Sequence, residues 1–168
     1  MRKSMPALSE IARTRKISYF LESLPKSSAI LEIGSGDGWV GSYLRSHGWT
    51  NYTGVDVTPP ADVVGDIREW RRLRLKPESY DAIVAFEVVE HVDCISAAHA
   101  LLKPGGKLLL TSPVPHMDWV MKALEYAGLN QRRTSPHSNL TYFSSINGFR
   151  ARSLRTVAGL SQWGIFTK

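Results

Sequence analysis

Cysteine is nearly missing from the chain: Cys94 stands alone among 168 residues. A single cysteine can form neither an internal disulfide nor a cysteine-pair metal site, so a disulfide-stapled secreted fold is excluded and a reducing compartment is expected. Long apolar runs are missing too, and no stretch approaches the roughly 18 apolar residues of a membrane span. The basic opening, residues 1–16, is not followed by the unbroken apolar segment of a secretory signal. These absences lead to the expectation of a soluble, cytoplasmic protein. There is no internal repeat, no RNA-module signature and no zinc-finger spacing.

What is present suits a single globular domain with a real core, at 43% apolar and 21% charged residues. The formal charge is +6, part of it gathered in "REWRRLRLK", residues 68–76. Such a run permits an anionic partner, but a solvated face is its commoner meaning. Apolar runs and helical patterns alternate along the chain. Strands are expected at 29–34, 52–57, 62–67 and 80–89, and after the Pro-Gly-Gly turn of "LKPGGKLLLTSP", residues 102–113. Helices are expected at 37–48, 93–102 and 117–129, with two more strands at 150–157 and 162–168. Ahead of them, Ile17, Phe20, Leu21 and Leu24 lie at helical spacing, which predicts a helix over about 9–24. Alternation of this kind argues for an open α/β sheet with helices on both faces.

In such sheets ligands bind beyond the carboxyl ends of the strands. There the first strand runs into "LEIGSGDG", residues 31–38. Gly34, Gly36 and Gly38 let the backbone approach a ligand closely. Their spacing is G-x-G-x-G, not the G-x-G-x-x-G of dinucleotide sites. Asp37 stands where a pyrophosphate would sit, and Glu32 adds a second negative charge. These acids suit a ligand that brings positive charge. S-adenosylmethionine does so, with a sulfonium, an ammonium and free ribose hydroxyls. Asp56, at the end of "GVDV", can accept from the ribose, and Asp66 at the end of "VVGD" can accept from the adenine amine. A helix cap or turn is the plainer role for each acid taken singly. Their succession at strand ends favours the site.

With these residues in view, the sequence resembles a class I S-adenosylmethionine-dependent methyltransferase, closest to the compact branch acting on small molecules, lipids or sugars. "LEIGSGDG" resembles the family's E/D-x-G-x-G-x-G motif and "GVDV" its second motif. "GDI" resembles the adenine-contacting turn, "YDAIVAFEVVEHV" the fourth-strand motif and "LLKPGGKLLLTSP" the Pro-Gly-Gly turn. The resemblance covers about residues 29–113. It implies a Rossmann-like, mostly parallel seven-stranded sheet in the order 3-2-1-4-5-7-6, with the seventh strand antiparallel. Only "SSINGF" stands between Phe143 and the sixth strand, so a reduced C-terminal part is expected. The implied cofactor contacts are Glu32, Gly34, Ser35, Gly36, Asp37 and Gly38 in the loop, then Asp56 and Val57, Asp66 and Ile67. Phe86, Glu87, Val88 and His91 complete them after the fourth strand. The implied layout is one domain over 1–168: a helical cap at 1–28, a cofactor-binding core at 29–113, an acceptor-pocket insertion at 114–150 and C-terminal strands at 151–168.

Methyl transfer is an in-line displacement at carbon that leaves S-adenosylhomocysteine, and alignment of the acceptor is the protein's main task. A hydroxyl acceptor needs a base, for which His91 is the first candidate; packing on the cofactor is its plainer role. In the insertion, His116, Trp119, His137 and Tyr142 are candidates to line the acceptor pocket, and Arg132 with Arg133 to hold a phosphate or carboxylate. Glu87, His91 and Cys94 match no metal-ligand motif, and no metal is expected. The expected acceptor is a small molecule, sugar or lipid-linked group. The alternatives are an RNA or protein methyltransferase using 68–76, a non-catalytic cofactor-binding module and, last, a dehydrogenase. "FEVVEHV" in place of an N/D-P-P-Y/F/W motif argues against a base or amide nitrogen as acceptor.

Overall fold

Strands buried on both faces read as short apolar runs, and the chain supplies them in sequence. The computed structural model describes residues 7–114, 126, 143 and 146–168. Helix α1 (Ala7–Lys16) leads into a π-helical turn at Ile17–Leu21, followed by β1 (Ile30–Ile33), α2 (Trp39–Ser46), β2 (Tyr52–Asp56) and β3 (Val63–Val64). A 3-10 turn at Ile67–Glu69 precedes β4 (Tyr80–Phe86), α3 (Ile95–Leu101), β5 (Leu102–Pro113), β6 (Arg150–Val157) and β7 (Ser161–Thr167).

The seven strands form one sheet in the order β3-β2-β1-β4-β5-β7-β6. β1 pairs in parallel with β2 and β4, β2 with β3, and β4 with β5. β7 runs antiparallel to both neighbours. The order is the expected one, but the expected reduction of the C-terminal part is not found. β6 and β7 are paired from Arg150↔Thr167 to Val157↔Ser161. Eight strand residues need no preceding helix to form; the hydrogen-bonded ladder with β7 is enough. The Pro-Gly-Gly turn also differs from expectation. It lies inside β5, where the ladder to β4 jumps from Tyr80↔Leu102 to Ala82↔Lys107.

Successive strand residues face opposite sides. Thus Leu31, Ile33, Ile83 and Leu108 join α3 in one core layer, whereas Ile30, Ala82, Val84 and Leu109 join Val40 and Leu44 of α2 in the other. The predicted N-terminal helix is interrupted. Past Lys16 it widens to the π-turn, closed by Glu22 N–H donating to the Ile17 carbonyl at 3.1 Å. Across that change Phe20 and Leu21 stay in the core, while Arg13 and Lys16 of α1 reach the strand ends. The predicted helix at 117–129 lies outside the described residues. No helix among the described residues is long and apolar enough to cross a membrane.

Candidate functional site

The site is built where β1, β2 and β4 end. Glu32, in the middle of β1, is 2% exposed. Its carboxyl accepts a short hydrogen bond from the Tyr52 hydroxyl. Two glycines give that ring its place: a Cβ at Gly41 would sit 2.6 Å from Tyr52 Cε1, and one at Gly54 would sit 2.8 Å from Tyr52 Oη. Burial pushes the Glu32 carboxyl up to about 8, against the Tyr52 bond, with the charges of Asp37, Asp56 and Asp62 adding to the rise. Burial and the neighbouring Glu32 likewise raise the Tyr52 phenol.

Above Glu32 the loop turns through Gly34, Gly36 and Gly38, all at positive φ. Gly34 is locked: a Cβ there would lie 2.5 Å from Val88 Cγ2. Gly36 and Gly38 are open, with nothing within 4 Å of an added Cβ. Ser35 is buried, its side chain beside Gly54, so the loop presents its backbone rather than this hydroxyl. Asp56 ends β2 and holds the loop in place. One of its carboxylate oxygens accepts from Gly36 N–H at 2.9 Å, the other from Thr58 N–H at 3.0 Å. Val57, next in the chain, is 67% exposed, as an apolar platform would be. Asp66 caps the turn at Ile67–Glu69 by accepting from Arg68 N–H, and it also pairs with the Arg68 guanidinium at 2.5 Å. That guanidinium holds the Asp66 carboxyl below its ordinary range. Ile67 itself is core, at 4% exposure.

On β4 the ring of Phe86 lies 6.1 Å from that of Trp39, nearly parallel at 19°. Glu87 follows at φ 57° and accepts from Thr111 Oγ1 at 2.7 Å and Lys16 Nζ at 2.8 Å. Val88 packs on Gly34, and His91 closes the next turn, its backbone N–H donating to the Val88 carbonyl at 2.8 Å. Glu90 in that turn is wholly buried, and burial with the nearby Glu87 pushes its carboxyl up to about 8. Beside the turn opens a cavity of about 720 Å³ lined by Val89, Val92, Asp93, Ile95, Ser96 and His99, with Phe143 and Ile146 opposite. His99, to which the sequence assigns no function, sits in it edge-on to Phe149 at 5.4 Å.

The structure thus gathers Glu32, Asp37, Asp56 and Glu87 around one loop, with His91 in the turn that follows Val88. His116, Trp119, Arg132, Arg133, His137 and Tyr142 lie outside the described residues. Sequence reasoning passed over Tyr52, Arg13, Lys16 and Thr111. For Tyr52 there was one signal: Gly41 in a helix and Gly54 in a strand, two unfavourable placements that close approach of a ring explains. For the two cations there was none, because α1 and the glycine loop are far apart in sequence.

A family model described as a methyltransferase domain matches residues 4–156. The chain belongs to this methyltransferase family. The methyltransferase is similar over its whole fold to solved structures. One is a complex between the Haloferax volcanii Trm112 methyltransferase activator and a methyltransferase: TM-score 0.68, 13% identity, covering 92% of this chain and 88% of that one. Another is a SAM dependent methyltransferase from Archaeoglobus fulgidus: TM-score 0.63, 16% identity, covering 96% and 93% of the two chains. At these identities the likeness speaks to the fold. In sequence, the methyltransferase is 37% identical over 68 residues to the highly reducing polyketide synthase PKS6 of Gibberella zeae. That match takes in 35% of this chain and 3% of the synthase, so the methyltransferase spans a small part of that relative's length. Family and fold agree: the chain is of this methyltransferase family and shares the fold of these structures.

Proposed function

We propose that the protein transfers a methyl group from S-adenosylmethionine to a small-molecule, sugar or lipid-linked acceptor. The observation that carries the cofactor half is the row of carboxylates at the strand ends around an open glycine loop. Gly36 and Gly38 leave room for a ligand against the backbone, Asp37, Asp56 and Glu87 make that room favourable to positive charge, and a cation there would help the raised Glu32 carboxyl to ionise. In this reading the backbone of Gly34 to Gly38 receives the methionine part, beside Phe86, Glu87, Val88 and His91. Asp56 takes the ribose hydroxyls on its remaining lone pairs. Val57 and Ile67 flank the adenine, and Asp66 accepts from its amine. The cofactor, once bound, supplies a methyl group made electrophilic by the sulfonium. The chain holds the acceptor in line, excludes water and, for a hydroxyl acceptor, takes its proton at His91.

Replacing Asp56 with Asn is expected to weaken S-adenosylmethionine binding by about 1–3 kcal/mol, the cost of leaving polar groups poorly paired. Calorimetry checks this; unchanged affinity removes Asp56 from the ribose site. In the same experiment NAD should not bind, since a diphosphate would meet Asp37.

Three features support a small acceptor. The cavity beside the His91 turn has the volume of a small-ligand site, and its lining mixes apolar side chains with Asp93, Ser96, His99 and Asn147. The basic stretch that RNA would use is partly engaged: Arg68 on Asp66, Arg72 on Glu69 at 3.1 Å, Arg71 over the Trp70 ring at 4.3 Å. The sequence match to a polyketide synthase agrees with a small acceptor. Incubating the protein and methyl-labelled cofactor with fractionated cell extract tests this. Label in the small-molecule or lipid fraction is expected. Label in RNA or protein would replace this reading with the macromolecular one, and tight cofactor binding with no label anywhere would favour a non-catalytic binding module.

A further inference from the structure

Charge is unevenly placed along the chain. All 15 Asp and Glu residues precede Tyr126, so the formal +6 falls wholly in residues 126–168. In the fold this basic part reaches the margin of the sheet. β6 is an edge strand, paired with β7 along its length and with no strand on its other side among the described residues. Most of its residues are exposed. Residues directly opposite in an antiparallel pair share a face. Arg150 lies opposite Thr167 and Arg155 opposite Trp163, two β7 residues on the same side. Arg152, at the bulge, joins them by donating from Nε to Thr167 Oγ1 at 3.1 Å. Arg155 lies over the Tyr19 ring at 4.7 Å. The three arginines thus line one face, while Leu154, opposite Gly164, is 45% exposed on the other. None of the three is in an ion pair among the described residues.

Charges and a bulge on an edge strand commonly guard it against pairing with another copy. Guarding works with charge of either sign, so it does not account for a stretch that lacks acids altogether. It does exclude a second copy as the occupant, since two β6 strands side by side would set arginine near arginine. The free edge offers a row of backbone N–H and C=O groups to an extended chain, and its guanidinium forks match carboxylates. β6 carries no aromatic ring on which a nucleic-acid base could stack. We propose that β6 is a docking edge for an extended acidic segment of another protein. That segment adds as a further strand, with acids at alternate positions facing Arg150, Arg152 and Arg155 and apolar residues on the side of Leu154. β5 and β7 stand between this edge and β4, so the occupant leaves the glycine loop clear.

Fluorescence anisotropy on the whole chain tests this with labelled synthetic peptides long enough to span β6, in which glutamate alternates with valine or threonine, and with the same peptides carrying lysine for glutamate. The glutamate peptide should bind, more weakly as salt rises, and the lysine peptide should not. Arg150→Glu with Arg155→Glu should weaken the glutamate peptide by at least about tenfold, as two attractions become repulsions, and should confer binding of the lysine peptide. That gain cannot come from a misfolded chain. Methylating alternate amides of the glutamate peptide separates strand addition from attraction of charge. One set of amides faces β6 and the other faces away, so one methylated form should lose binding and the other keep it. Equal binding by both forms overturns the added strand. A glutamate peptide that does not bind, or that keeps its affinity after the charge reversal, overturns the docking edge. Polyuridylic acid bound in its place, and lost on the same reversal, would assign the arginines to RNA instead.

Discussion

Replacing Gly34 with alanine is expected to destabilise the protein by about 3 kcal/mol. The backbone there has φ 74°, which costs a residue with a side chain about 1–2 kcal/mol. The new methyl would also lie 2.5 Å from Val88 Cγ2, closer than any real contact, and overpacking of this kind costs about 1–3 kcal/mol more. Against a typical domain stability of about 5–15 kcal/mol the loss is severe. Urea unfolding measures it, and the two contributions separate cleanly. Combining Gly34→Ala with Val88→Ala removes the collision but not the strained backbone, so the double variant should recover part of the loss that the two single changes add up to. Gly36→Ala is the control: its φ is 50° but its Cβ would meet nothing, so it should cost less stability while intruding on the ligand's side of the loop. A Gly34→Ala protein as stable as wild type would show that the loop does not pack on Val88 as described.

The second large effect is a dependence of stability on pH that runs opposite to the usual carboxylate. Burial lifts Glu32 from 4.5 in the unfolded chain to about 8 in the folded one. Between those values the folded protein holds a proton that the unfolded chain has released, so raising the pH favours unfolding. Each such group contributes a slope of up to about 1.4 kcal/mol per pH unit in that window, and its effect is absent below the unfolded value. Glu90, also wholly buried and raised to about 8, acts with the same sign. Asp66 acts the other way: the Arg68 guanidinium lowers it, so its contribution is present above its unfolded value and lost as the pH falls. Chemical unfolding at about pH 5 and about pH 8 should therefore show wild type weakening across the interval. Glu32→Gln keeps an acceptor for the Tyr52 hydroxyl without the titration, and it should flatten the slope by the share of one group. Equal slopes in wild type and variant would mean that Glu32 is ionised in the folded protein. The linkage bears on function, because a cationic ligand above the loop favours the ionised carboxyl and so eases the burden that burial places on it.

Much of this architecture was readable from local pattern. The first four strands are short apolar runs that each lead into an acid or glycine, so Gly34, Asp56 and Glu87 could be placed at strand ends without coordinates, and the sheet order followed from the family those motifs resemble. Local pattern misjudged three things. The N-terminal stripe Ile17, Phe20, Leu21 and Leu24 has helical spacing, but spacing does not distinguish α from a π-turn that only packing against β4 and β7 selects. Pro104, Gly105 and Gly106 have the composition of a turn, yet lie within a strand because the ladder to β4 resumes on either side. The brevity of "SSINGF" pointed to a reduced sheet edge, whereas the pairing of β6 with β7 does not depend on what precedes it.

The places of the strands along the chain and the positions of their terminal acids and glycines were inherent in the sequence itself, because burial on both faces imposes a composition that neighbours in sequence share. The charge state of Glu32, the room for Tyr52 and the arrival of Arg13 and Lys16 at Asp37 and Glu87 came only with the folded molecule. Desolvation and ion pairing depend on distance in space, and these partners are brought together from opposite ends of loops and helices by the packing of the sheet.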